Sequence, residues 1–245
     1  MSLRDATEEQ TKESWQHYYS SLAGRQAAEV FQKEFDTYTY VHTWYNSIRI
    51  IERYTRMEDG ARVLDAGCGW GRMLLGVLEH HQGLDVTAMD LQDDALQIGR
   101  KLIGEDCEGN RIDWQTGNLE CLKFADETFD IVYSARVFQH LDDPAKGIQE
   151  IVRTLKPGGR FLIFLQNKLC PLNRDYYARM YTPEEVEDWF EGVSTTTRTV
   201  SSMDFYPGKL NRLFPLSVRM GIEAAMGHVP VIRRFGGKVV VWGVK

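Results

Sequence analysis

The sequence predicts an α/β fold: a mostly parallel, seven-stranded sheet with helices on both faces and a helical cap at its N-terminal end. Three observations predict it. From residue 62 to residue 165, short apolar runs alternate with longer stretches of helical period. A glycine-rich turn joins the first apolar run to the helix behind it. The 245 residues suffice for one well-buried core, near the upper range of a single α/β domain. Strands separated by helices need crossovers that cover both faces of a sheet, and such sheets are mostly parallel.

Residues 1–12 are polar and read as frayed. Residues 13–56 carry many aromatics and no strong turn before Gly60, and predict two or three helices broken near Gly24 and around 36–39. Val41, Trp44, Tyr45, Ile48, Ile51 and Tyr54 recur at helical spacing, so this segment packs on the α/β domain behind it. Residues 1–56 are therefore read as a cap and 57–245 as the main domain. The first strand is 62–66, with a helix over 72–81 behind the turn. The second strand is 85–90, and Asp93 is placed to cap a helix bearing Ala95, Leu96, Ile98, Leu102 and Ile103. Strands three and four are 111–117 and 129–134. Asp143 with Pro144 behind it marks a helix start, and that helix runs to about Leu155 with Ile148, Ile151 and Val152 inward. Lys156-Pro157-Gly158-Gly159 ends it and leads into the fifth strand, 161–165. Thr182-Pro183-Glu184-Glu185 is a capping box for a helix ending near Gly192. The last two strands are 195–202 and 238–244, with an insert at 204–237 between them.

Composition narrows the function. A formal charge of -6 and the lack of a basic stripe argue against a general nucleic-acid binder. Cys68, Cys107, Cys121 and Cys170 form no CxxC pair and no metal-finger spacing, so the cysteines read as reduced and no metal is expected. The polar start MSLRDATEEQ has no apolar signal core, and no long uncharged apolar run occurs later in the chain, which predicts a cytoplasmic protein without a spanning helix.

The sharpest signal is the run Val63 to Arg72, VLDAGCGWGR. A strand runs into glycines at alternate positions, Gly67, Gly69 and Gly71, and a helix opens behind them. Glycine permits a tight turn and leaves no side chain between backbone and ligand. The turn lies at the carboxyl end of a central strand, where open α/β sheets bind ligands. Asp90 ends the next strand, where a carboxylate can accept two hydrogen bonds from vicinal ribose hydroxyls. These features serve S-adenosylmethionine (SAM) and NAD alike. A dinucleotide fingerprint needs G-x-G-x-x-G, and Arg72 stands where its third glycine belongs. That favours a ligand without a pyrophosphate.

The chain resembles the class I SAM-dependent methyltransferases, in the small-molecule branch with the ubiquinone/menaquinone-type methyltransferase domain. The resemblance rests on VLDAGCGWGR (63–72), VTAMDLQDDALQIGRKL (86–102), TGNLECLKFADETFDIVYS (116–134), ARVFQHLDDP (135–144) and LKPGGRFLI (155–163), and more loosely on the final strand. It implies a Rossmann-like sheet with an antiparallel last strand and SAM as the cofactor. By the same resemblance Asp65, Gly67, Cys68, Gly69 and Gly71 border the amino-acid part of SAM, Asp90 holds the ribose and Leu91 lies against the adenine. Asn118 stands near the adenine amino group, Leu119 contributes through its backbone, and Ser134, Ala135 and Arg136 line the cofactor. Many relatives have aspartate at the position of Asn118; the neutral amide is the weaker acceptor.

Methyl transfer is a displacement that demands alignment in a dry pocket, with a base where the acceptor must lose a proton. His140, after the fourth strand, is the base candidate, with a scaffold role and no role as the alternatives. His17, Tyr18 and Tyr19 in the aromatic N-terminal segment are further candidates. No Asn-Pro-Pro-Tyr or Pro-Cys stands after the fourth strand, which argues against methylation of base amino groups or of pyrimidine carbon. The expected acceptor is a small organic or lipid-like molecule, methylated on oxygen or nitrogen rather than carbon. Tyr18, Tyr19, Asn167, Tyr176, Tyr177 and Tyr181 are expected to line its pocket. The insert, with a helix expected over 213–226, is read as part of the acceptor site, against packing or a dimer contact, or contact of its arginines with a membrane surface. The oligomeric state is left as monomer or homodimer. A SAM-binding regulatory subunit and an NAD-dependent oxidoreductase are the alternatives to a methyltransferase.

Overall fold

A computed structural model describes residues 38–107, 109–171, 179–203 and 232–245, together with Val218, Ala225, Met226 and Val229. The elements, in chain order, are α1 (Tyr38–Thr55), β1 (Arg62–Ala66), α2 (Arg72–Leu78), β2 (Asp85–Asp90), α3 (Asp93–Leu102), β3 (Asp106–Cys107) and β4 (Asn110–Thr116). Then come β5 (Phe129–Ala135), a 3-10 turn (Phe138–His140), α4 (Pro144–Thr154), β6 (Leu155–Gln166), α5 (Pro183–Asp188), β7 (Thr197–Met203), a second 3-10 turn (Ile232–Phe235) and β8 (Lys238–Val244).

The sheet order is β3-β4-β2-β1-β5-β6-β8-β7. β4, β2, β1, β5 and β6 run parallel, whereas β8 is antiparallel to both β6 and β7. This is the expected Rossmann-like sheet with an antiparallel last strand. It has eight strands rather than seven, because the two residues of β3 fold back on the start of β4. Strand order reverses direction at β1, so the loops after β1, β2 and β5 converge on one crevice at the carboxyl edge.

The central strands are apolar on both faces, as strands covered by helices must be. Val63, Leu162, Phe164 and Val240 join Leu74 and Val77 of α2 in one core, and Leu64, Val132, Phe161 and Val241 join Ile148 and Ile151 of α4 in the other. Ile48 and Ile51 of α1 are buried in the first core, and Tyr54 stacks on Trp242 at 4.1 Å between ring centroids. The side chains of Val41, Trp44 and Tyr45 lie outside the described residues.

Local chemistry accounts for the boundaries. Asp143 caps α4, accepting from Lys146 N at 3.1 Å with Pro144 in the first turn. Thr182 and Glu185 exchange both bonds of the capping box that starts α5. Asp93 does not cap α3 as expected: it is the first residue of that helix, behind Gln92, and its carboxylate takes Gln97 Nε2 and Thr116 Oγ1 instead. β6 begins at Leu155 rather than 161, since Lys156–Gly159 bulge opposite the single residue Asp130 before pairing resumes at Arg160. Gly159 has no room there for a side chain, with Lys156 O and Asp130 O at 2.8 and 3.0 Å from an added Cβ.

Candidate active site

The glycine turn leaves the end of β1 and is stitched at once to β2: Gly67 N and Cys68 N donate to Met89 O at 2.7 and 2.9 Å. Gly67, Gly69 and Gly71 have φ of 84°, 58° and 84°, a region in which only glycine is free of strain. The close approach made by two of them is to protein. A Cβ on Gly67 would fall 2.2 Å from Val137 Cγ2, and one on Gly71 would fall 2.7 Å from Ile103 Cδ1 and 2.8 Å from Trp114 Cη2. At Gly67 and Gly71 the missing side chain thus also serves packing within the protein. They let β1's turn settle between the loop after β5 and helix α3.

Asp90 closes the turn from the other side. Its Oδ2 accepts from Gly69 N at 2.7 Å and its Oδ1 from Gln92 N at 2.9 Å. Each carboxylate oxygen keeps capacity for a second bond. The next residue, Leu91, is 53% exposed, an apolar surface presented to solvent beside a hydrogen-bonding carboxylate. Gly117 N donates to Asp90 O at 2.9 Å, which brings the segment after β4 to the same edge. There Asn118 Oδ1 accepts from Glu120 N at 2.9 Å, and the Leu119 side chain is buried.

Under the turn lies a pair the sequence did not disclose. Asp65 is buried, and its Oδ2 accepts from Tyr133 OH at 2.9 Å. The two residues are partners in the β1–β5 register, so their meeting becomes legible only once the strands are paired. Burial pushes the Asp65 carboxyl up to about 7; the bond from Tyr133 pulls it down and the charge of Asp90 pushes it up again. Burial likewise raises Asp90, against its backbone donors. Burial and both carboxylates push the Cys68 thiol well above its ordinary value, and its Sγ donates to Gly69 O at 3.3 Å, so Cys68 is held as a neutral thiol rather than a nucleophilic thiolate.

On the β5 side, Ser134 is buried with its Oγ donating to Ala66 O at 2.7 Å, and Ala135 pairs with Phe164 of β6. Arg136 takes φ of 64° and donates its backbone N–H to Phe164 O at 2.7 Å. His140 is half-buried, and burial together with the charge of Arg136 pushes its imidazole down to about 4. It is neutral at physiological pH.

The acceptor side is described in part. Asn167 is fully buried, and its Nδ2 donates to Arg234 O and Gly236 O at 2.9 and 2.7 Å while its Oδ1 accepts from Leu169 N at 3.0 Å. Its amide is committed to bracing the second 3-10 turn. Tyr181 is half-buried and packs edge-on to Trp189 at 4.7 Å. His17, Tyr18, Tyr19, Tyr176, Tyr177 and nearly all of 204–231 lie outside the described residues. Among the described residues, no helix is long and apolar enough to cross a membrane.

One buried and one half-buried carboxylate, both held above their ordinary range, make a site that favours a cation. SAM carries an ammonium and a sulfonium, with a ribose and a flat base to set against Asp90 and Leu91. The residues present fit it. This fit has a pH signature. An ammonium beside Asp65 favours its ionised form, so binding should release a proton and tighten as pH rises through about 7. The dissociation constant should be roughly tenfold weaker at pH 6 than at pH 8, and Asp65→Asn should flatten the dependence. Calorimetry across that range checks it; a flat profile in the wild-type protein would overturn the pairing.

Residues 64–163 match the family model described as a methyltransferase domain. The chain is 30% identical over 182 residues to a ubiquinone biosynthesis O-methyltransferase of Xanthomonas oryzae pv. oryzae (strain PXO99A), covering 66% of this chain and 74% of that protein. It is 32% identical over 120 residues to O-methyltransferase resE of Aspergillus sclerotiorum, covering 46% of this chain and 45% of that protein, so it spans less than half of the fungal relative. Phosphoethanolamine N-methyltransferase 2 of Haemonchus contortus, solved in complex with SAM, shares the fold at a TM-score of 0.60 and 18% identity, over 90% of this chain and 60% of that one. The chain belongs to the class I SAM-dependent methyltransferases, in the small-molecule branch with the ubiquinone/menaquinone-type domain, and SAM is its cofactor.

Proposed function

We propose that the protein transfers the methyl group of SAM to an oxygen atom of a small organic or lipid-like acceptor in the cytoplasm. The observation that carries the choice of oxygen is the similarity to O-methyltransferases, at 30% identity across 74% of the bacterial relative. When bound, SAM supplies an electrophilic methyl on a sulfonium, open to in-line displacement. The chain's own residues do the rest. Asp65 and the turn Gly67–Cys68–Gly69–Gly71 border the amino-acid part, Asp90 and Leu91 take the ribose and adenine, and Asn118 and Leu119 border the base. Ser134 and Ala135 fix the end of β5 beside the sulfur. Residues 1–56, with Tyr18 and Tyr19, form a cap on the main domain, 57–245. That cap, the loop that carries Tyr176, Tyr177 and Tyr181, and the insert 204–237 exclude water from the acceptor. Asn167 supports this wall through its backbone partners rather than by touching the acceptor.

In this reading His140 takes the acceptor's proton. A neutral imidazole can accept it, but one whose conjugate acid titrates near 4 is a weaker base than one matched to pH 7. Its loss should therefore cost less than a well-matched base is worth: His140→Ala should slow transfer by roughly 10–100-fold with SAM affinity unchanged. The test is transfer of labelled methyl from SAM to phenol and catechol acceptors, compared with their amine counterparts. Labelling of amines alone would overturn the oxygen assignment, and a normal turnover number in His140→Ala would remove His140 from the chemistry.

A further inference from the structure

Tyr133 lies in β5 with no exposed surface, and its hydroxyl donates to Asp65 Oδ2 at 2.9 Å. The two residues are Cα partners in the register of β1 and β5, so both side chains project to the same face of the sheet. Filling the core there needs only a ring. A buried hydroxyl must be satisfied or it destabilises the fold, and phenylalanine would carry no such demand. The hydroxyl matters for what it does to the carboxylate. Burial drives Asp65 toward the neutral acid, and a donor to the charged form opposes that drive. The phenol keeps its own proton, because burial and Asp65 push it well above its ordinary value. It therefore stays a donor throughout the range in which Asp65 titrates.

The neighbouring groups do not duplicate this effect. The charge of Asp90 on β2 works the opposite way, toward the neutral form of Asp65. Cys68 in the turn is held as a neutral thiol and His140 titrates at about 4, so neither changes charge where Asp65 does. On the face that carries Tyr133, α2 opens with Arg72 and brings Leu74 and Val77 to the core. From α1 come Ile48, Ile51 and Ser47, whose Oγ accepts from Lys238 Nζ of β8 at 3.1 Å. Building on the reading that Asp65 borders the amino-acid part of SAM, we propose that Tyr133 is a positioning residue for the cofactor: its hydroxyl holds the Asp65 carboxylate charged and in place for the ammonium, from a position that the cofactor does not touch. When the ammonium arrives, Asp65 must be without its proton, and Tyr133 lowers what that costs. The contribution is large where Asp65 is half-protonated and vanishes where it is ionised, which a packing role would not reproduce.

The test compares the full-length wild type with Y133F, D65N and the variant that carries both. Calorimetry with S-adenosylhomocysteine, which has the ammonium, should show Y133F binding about fivefold more weakly at pH 7 and within about twofold of the wild type at pH 8.5. Methylthioadenosine has the adenosine and the sulfur but no amino acid, and it should bind the two proteins within about twofold at either pH. In the ligand-free proteins, the side-chain carboxyl carbon of Asp65, identified in NMR spectra by its loss in D65N, should titrate about one pH unit higher in Y133F. In the D65N background, Y133F should add no further loss of affinity. A Y133F profile that superimposes on the wild type overturns the proposal. So does a loss of equal size at both pH values, or one shared by methylthioadenosine, either of which marks a disturbed turn. Failure of the underlying reading looks different: D65N then binds S-adenosylhomocysteine as the wild type does, with the same pH profile, and the proposal falls with it.

Discussion

Replacing Asp90 by alanine should weaken binding of SAM or S-adenosylhomocysteine by roughly 1–3 kcal/mol, the range for hydrogen bonds to a charged group. Two losses combine. The ribose loses its acceptor, and the turn loses a brace, because Gly69 N and Gln92 N both donate to this carboxylate at 2.7 and 2.9 Å. Asp90→Asn separates them in part: an amide keeps one acceptor oxygen but presents a donor where one of two N–H groups already points. It should fall between alanine and the wild type in affinity. Calorimetry measures the effect and a thermal melt verifies folding. An unchanged dissociation constant in a folded alanine variant would remove Asp90 from the ribose.

Gly67→Ala should lower stability by about 2–5 kcal/mol. About 1–2 of this is the left-handed backbone, since φ is 84° and an added Cβ meets the following carbonyl. About 1–3 is overpacking, with the new methyl 2.2 Å from Val137 Cγ2. For a chain of this size the melting temperature should fall on the order of 5–15 °C. Val137→Ala in the same chain removes the obstructing methyls and should recover the packing share while leaving the backbone share. A single variant that melts with the wild type would show that the turn relaxes freely. A double variant no better than the single would show that backbone strain alone governs the position.

How much of this was legible in the sequence depends on the range of the interaction. The caps at Asp143 and Thr182 are contacts within three residues, and both stand where the residue pattern puts them. The bounds of β8, 238–244, are legible because its apolar run and flanking glycines suffice. The start of β6 is not, since a proline and two glycines read as a terminator, whereas pairing of Leu155 with Phe129 extends the strand through a bulge. Asp93 fails as a cap because its side chain bonds to Thr116 across the sheet. In the site, Asp65, the glycines and Asp90 are legible from their places at strand ends. The partners that set their properties are not: Tyr133 lies 68 residues from Asp65, and Val137 meets Gly67 only because β1 and β5 are neighbours. A sequence announces which residues stand at a strand's end more readily than what stands across from them.

The position of β8 carries a consequence for how the molecule reaches this form. β8 is the eighth strand in the chain but lies between β6 and β7, antiparallel to each. β7 therefore leaves the ribosome before the strand that joins it to the sheet exists, and it waits through the whole of 204–237 for its neighbour. Until β8 has been made, one edge of β6 and both edges of β7 are available to strands of other molecules. Closing the connection early costs chain entropy that its length alone raises only slowly. Pairing of β7 with the rest of the sheet is therefore a late step that joins residues far apart in the chain.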